Sequence, residues 1–123
     1  MRIVNRIEFL KLPKGILYSK YKLNEGVKES LCIKNETIGD NDWSYLCLTQ
    51  PEPINCNNYE ECLEVFKQAE QDSNFNFELD MESSYRDGLY EEDIKFLIYD
   101  ENDINKVINL FSECIKGFKN KEY

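Results

Sequence analysis

Gly15-Ile16-Leu17-Tyr18-Ser19-Lys20-Tyr21-Lys22 decides the fold: aliphatic and aromatic residues interleaved with Ser and Lys predict a β-strand rather than a helix. Reading onward, Asn24-Glu25-Gly26 is a turn. Strands are then expected over 29–38 and 43–49, separated by Gly39-Asp40-Asn41-Asp42, a cluster of turn formers suited to a hairpin. Three consecutive strands imply an antiparallel meander. Reading back, Asn5 followed by Glu8 has the form of a capping box, and Ile7, Phe9, Leu10 and Leu12 make a short apolar helix that Pro13 and Gly15 would stop. That helix is expected to cover one core edge.

Beyond Pro51 and Pro53, Asn57 or Asn58 can cap a helix whose Tyr59, Cys62, Leu63, Phe66 and Ala69 share one stripe. Phe75, Phe77, Leu79 and Met81 alternate with Asn76, Glu78, Asp80 and Glu82, a two-residue period that predicts a half-buried strand. A loop over 83–92 leads to an apolar strand over 94–99. Asp100 or Asn102 then caps an amphipathic helix with Ile104, Val107, Ile108, Phe111, Ile115 and Phe118 on one side, and Gly117 and the tail lysines near its end. Strands and helices grouped in this way indicate an α+β fold, with an antiparallel sheet of about five strands and two main helices packed on one face. The 123 residues fit a single domain with one core, stable without disulfide or metal.

The formal charge is −9, from 24 acidic and 15 basic residues, which disfavours general nucleic-acid binding and suits a basic partner protein or a well-solvated surface. The first residues lack the pattern of a secretory signal and no stretch has the length of a membrane span, so a cytoplasmic protein is expected. Cys32, Cys47, Cys56, Cys62 and Cys114 are odd in number and form no C-x-x-C, which favours small core residues over a disulfide framework or zinc site. With no histidine in the chain, Ser-His, Cys-His and His-metal chemistry are all excluded. No catalytic residue, metal ligand or cofactor is therefore expected, and the adjacent acidic pairs and the Asp40 turn read as solvated surface.

The preferred ligand candidate is the loop holding Ser84, Tyr85, Arg86, Asp87 and Tyr90, which combines a cation, hydroxyls and aromatic faces. A guanidinium can clamp a phosphate and a tyrosine ring can stack a base, so such a loop could hold a nucleotide. Tyr18, Lys20 and Lys34 would supply a second wall, at an interface between subunits of a homo-oligomer. The competing readings are structural: an Asp-Gly turn with Arg86 paired to a nearby carboxylate, edge-strand protection by alternating Lys and Tyr, and a core anchor for Trp43.

Across Val4-Asn5-Arg6-Ile7-Glu8-Phe9-Leu10-Lys11-Leu12-Pro13-Lys14-Gly15, Leu31-Cys32-Ile33-Lys34, Thr37-Ile38-Gly39 and Arg86-Asp87-Gly88-Leu89-Tyr90, the chain resembles small uncharacterised proteins of phages and prophages. The resemblance implies a mobile-element origin and an inhibitor of host defence that binds a host protein or sequesters a nucleotide signal, and the preferred reading is a non-enzymatic counter-defence protein that sequesters a small anionic nucleotide signal. The alternative is an acidic inhibitor of the anti-CRISPR or toxin-immunity type that binds a basic surface of a host protein. A metal-dependent hydrolase built on carboxylates is the third class.

Overall fold

A computed structural model of the protein describes residues 1–27, 31–48, 52–87, 91 and 93–119. Its elements are β1 (Arg2–Val4), α1 (Arg6–Leu10), β2 (Leu17–Lys22), β3 (Gly26–Val27), β4 (Cys32–Ile38), β5 (Asp42–Cys47), α2 (Tyr59–Gln71), β6 (Tyr85–Arg86), β7 (Lys95–Ile98) and α3 (Glu101–Lys119). The strands form one antiparallel sheet in the order β1-β7-β2-β4-β5-β6, with β3 paired to the end of β2. The α+β class expected from the sequence holds.

The capping box is present in full. The Asn5 side chain accepts from the Glu8 amide and the Glu8 carboxylate accepts from the Asn5 amide, which fixes the entry of a helix only five residues long. At its other end the Leu10 carbonyl accepts a 2.7 Å bond from the Thr37 hydroxyl on β4. Held at both ends, α1 drives Phe9 into the middle of the sheet. The Phe9 ring stacks on Phe96 at 4.1 Å and meets Tyr18 and Trp43 edge-on at 4.7 and 5.1 Å, and Trp43 Nε1 donates to the Tyr18 hydroxyl at 2.9 Å. All four rings are buried, with Val4, Cys32, Ile94 and Ile98 around them. Phe9 is thus the centre of the core, where the sequence suggested an edge.

The β4–β5 hairpin forms as predicted, with Gly39 in the left-handed region at φ 61° that such a turn requires. The ladder breaks between Lys34 and Thr37, a bulge that lets the Ser44 hydroxyl accept from the Glu36 amide. Several strand expectations change, and short strands β3 and β6 form where a turn and a loop were expected. β1 pairs with β7 along Val4↔Phe96 and Arg2↔Ile98, a partnership across the length of the chain that three residues do not announce. Among the described residues, the alternating stretch 75–81 makes one bridge, Leu79 to Pro53, bounded by bonds from the Ile54 amide to the Glu78 carbonyl and from the Asp80 amide to the Glu52 carbonyl. Proline brings no amide to a ladder, and Phe77 meets Phe66 of α2 edge-on at 5.7 Å while both Phe77 and Met81 keep much of their surface exposed.

Both long helices begin where expected. Asn58 caps α2 by accepting from the Glu61 amide, and Asp100 and Asp103 exchange side-chain bonds with each other's amides at the start of α3. The Asp103 amide and the α-amino group of Met1 hold the Asp100 carboxyl down at about 2. Their packing differs from expectation: no residue of α2 or α3 is buried, and the core is sealed by α1 instead. No helix among the described residues is long and apolar enough to cross a membrane.

Removing Phe9 leaves a cavity lined by three aromatic rings. Phe9→Ala should therefore cost about 3–5 kcal/mol in equilibrium denaturation, the range of buried phenylalanines. Phe77→Ala, on a half-exposed ring, should cost about 1 kcal/mol.

Candidate functional site

The loop and strand singled out for a ligand do come together, and they meet each other. β6 pairs with β5 through Ser44↔Arg86, and the Asp87 amide extends this pairing with a 3.0 Å bond to the Trp43 carbonyl. This turns the Asp87 carboxylate inward, where it takes the Lys20 ammonium at 2.6 Å, with both side chains largely buried. Lys20 Nζ also sits 5.8 Å from the centre of the Trp43 ring. The charges that were to grip an anion neutralise one another.

Each remaining candidate among the described residues is similarly engaged. Arg86 Nε donates to the Asp42 carboxylate across the sheet edge. Burial works against ionisation of Asp42, but Arg86, the Trp43 amide and nearby Arg6 outweigh it and hold the carboxyl below its usual range. Tyr18 is a core residue: burial pushes its phenol well above its ordinary value, and the bond from Trp43 only partly opposes this. Lys34 is buried too, donating to Thr37 Oγ1 at 2.8 Å and the Asn35 carbonyl at 3.3 Å, and burial lowers its pKa against the pull of Glu36. Tyr18 and Lys34 are therefore core residues in place of the pocket wall that alternation along the strands suggested. Ser84 Oγ accepts from Asn35 Nδ2, and Tyr85 lies against Tyr45 with ring centres 6.1 Å apart. Burial raises the Tyr85 pKa, and the negative charges of Glu52 and Asp80 raise it further, so this end of the loop sits in an acidic setting. Gly88 and Tyr90 lie outside the described residues.

Two surface features were missed. The first is a cleft of about 520 Å³ between α1 and the β4–β5 turn, where Arg6, Lys11 and Lys95 gather around Thr37 and Asp40. Arg6 lies over the Trp43 ring at 5.1 Å and donates to the Asn41 carbonyl at 2.7 Å, so one of its cations is structural. The second is larger. Residues 52–84 hold nine of the chain's 24 acidic residues and one of its 15 basic ones, a net charge of −8 that leaves −1 for all the rest. A running charge sum along the sequence would have found it.

These residues form one structural pole. The bridge of Pro53 with Leu79 closes it, α2 packs on it through Phe66 and Phe77, and every acid in it except Asp80 is exposed. Its single cation, Lys67, lies 3.6 Å from Glu64. Asp80 organises the bend after the bridge, accepting from the amides of Glu82 and Ser83 and from the Ser83 hydroxyl, which together hold its carboxyl below the usual range. Beside it a cleft combines apolar Ile54, Phe77, Leu79 and Met81 with the carboxylates of Glu78, Asp80 and Glu82. Apolar side chains and carboxylates lining one cleft suit a lysine or arginine side chain, whose stem is apolar and whose end is charged. No group of three or more potential metal ligands is found among the described residues.

The Lys20–Asp87 pair gives a direct test of this assignment. Lys20→Met leaves a buried carboxylate without its cation and should destabilise the fold by about 3–5 kcal/mol, whereas Lys20→Met with Asp87→Leu should recover most of that loss. Chemical denaturation of the two variants reads the difference.

No family model matches the sequence, and no curated protein or solved structure matches it either.

Proposed function

We propose that this protein is a non-enzymatic binding module that docks its acidic pole, residues 52–84, on a basic surface of a protein partner. In the setting its resemblance to phage and prophage proteins implies, it would act as an inhibitor of the anti-CRISPR or toxin-immunity type inside a host cell. The observation that carries this reading is the segregation of charge, with −8 of the total −9 on one pole. Such a field accelerates encounter with a cationic surface and orients it, while the apolar side chains that line a cleft with Glu78 and Glu82 supply burial once contact is made.

The nucleotide-sequestering reading rests on other ground. It would need Lys20 and Arg86 to leave Asp87 and Asp42, or a small anion to use Arg6, Lys11 and Lys95 in the cleft beside α1. That cleft is the observation in its favour.

Amide chemical shifts separate the two. A lysine- and arginine-rich peptide should shift residues 54, 60–64 and 77–82, with affinity falling steeply as salt is raised. Glu78→Lys with Glu82→Lys should slow association by about tenfold or more while leaving stability within about 0.5 kcal/mol, because both residues are exposed. A panel of mono- and cyclic dinucleotides should shift nothing. Shifts confined to 6, 11 and 95, or to 84–87, on adding nucleotide, with none on adding peptide, would reverse the assignment.

A further inference from the structure

Cys32 and Cys47 stand directly opposite each other on β4 and β5. The Leu48 amide donates to the Leu31 carbonyl, so the ladder bonds flank the two cysteines and do not join them. At such a non-hydrogen-bonded site the α-carbons of opposed residues approach to about 4.5 Å and their side chains leave the same face of the sheet. Disulfides span α-carbon separations of about 4.4–6.8 Å. We propose that Cys32 and Cys47 are a thiol–disulfide exchange site, which a small-molecule disulfide such as oxidised glutathione converts to a cross-strand disulfide in the folded protein.

The surroundings of the pair give its two members different tasks. Cys32 is fully buried, in a row between Tyr18 of β2 and Cys47 of β5. Cys47 is half-buried at the margin of the core, on the last residue of β5, and β6 pairs with Ser44 and Tyr45 without reaching it. A reagent in solvent therefore meets Cys47 first and reaches Cys32 only through it. The Cys47 thiolate attacks one sulfur of the reagent, whose S–S bond breaks as the new one forms, and the departing thiolate takes up a proton in place of the one Cys47 released. Cys32 then gives up its own proton, attacks the Cys47 sulfur of the mixed disulfide and expels the second thiol. In all, the two cysteines lose two electrons and two protons, and the reagent gains them as two thiols.

The other close pair of thiols is set differently. Cys56 and Cys62 meet beside the cap of α2, where burial, the Cys62 thiol and the carboxylates of Glu61 and Glu52 push the Cys56 thiol up to about 11. The thiolate is the attacking species, so exchange at that pair is slow at neutral pH. A bond between Cys32 and Cys47 closes a covalent ring over 32–47, which holds the buried Lys34, the Gly39 turn and the Trp43 anchor. Such a ring restricts the unfolded chain and makes opening of the hairpin rarer. The site follows from the sheet register and does not rest on the docking role of the acidic pole.

A variant carrying Cys56→Ala, Cys62→Ala and Cys114→Ala, all outside the core cluster, keeps only the proposed pair. Equilibrated in the folded state with oxidised glutathione and then unfolded in an alkylating reagent, it should take up no label and weigh less than the reduced chain by two hydrogens. Amide exchange at Ile33 and Leu46 should slow at least about tenfold, and dithiothreitol should reverse both changes. The unaltered chain should gain the same bond, and Cys47→Ala with the other four cysteines kept should lose it and leave Cys32 open to alkylation. Two labelled thiols after equilibration would overturn the proposal. So would a reaction that stops with glutathione on Cys47, or an internal bond that forms only in denaturant.

Discussion

The stack of Phe9 on Phe96 is the contact on which the rest of the structure depends. It joins a helix of only five residues to β7, and β7 is the strand that lies between β1 and β2 in the sheet. A helix that short has no stability of its own, since nucleation is unfavourable and propagation has no length over which to repay it. Its capping box and the Thr37 bond fix its ends, and burial of Phe9 supplies the driving force. Once Phe9 is in place, Trp43 and Tyr18 have their edge-on partner and their own hydrogen bond, so each polar atom in the aromatic cluster is satisfied.

The same cluster determines what the nearby cations can do. Lys20 and Lys34 point along the face that the rings occupy, and a cation among rings must find a partner or lose its charge. Lys20 takes Asp87, and Lys34 takes a hydroxyl and a carbonyl. Positive charge is thereby consumed in holding β6 and the bulge of β4 in place. On the pole beyond the sheet one lysine stands among nine acids, so negative charge there far exceeds the cations that could neutralise it. The asymmetry between a neutralised body and a charged pole follows from where the core lies, and it gives the molecule an electrostatic direction.

Much of the fold was legible because its signals were local. Asn5 with Glu8, Asn58 before α2, Asp100 before α3 and the Gly39 turn each depend on neighbours within a few residues. The failures were non-local. β1 exists because Arg2–Val4 finds β7, and nothing within three residues encodes a partner so far along the chain. The period of Phe75 to Met81 suggested one half-buried face, but only Phe75 and Leu79 are half-buried while Phe77 and Met81 are exposed, because periodicity alone cannot say what a face will meet. For the site, residue types were legible and their pairing was not: the reading of Arg86 as the partner of a neighbouring carboxylate and of Trp43 as a core anchor describes the structure better than the ligand reading does. One signal lay in the sequence unread, the charge segregation of 52–84, because it appears only when a property is followed over many residues.

A small domain that leaves its two long helices without a single buried residue raises a question of economy. Its core consists of eight residues with Leu10, Leu12, Ile16, Tyr45 and Cys47 at the margin, all from the sheet, α1 and their connections. α2 and α3 together account for 32 residues whose ordering costs conformational entropy that core burial does not offset. An isolated helix of 13 or 19 residues is marginal in water, so local caps and i,i+3 pairs such as Lys116 with Glu113 are insufficient reason for both to persist. Exposed apolar rows also invite nonspecific association unless a specific surface covers them. The arrangement is consistent if such a helix is stabilised in use, as α2 would be in a charged docking pole carried by the rigid body of the sheet and α1.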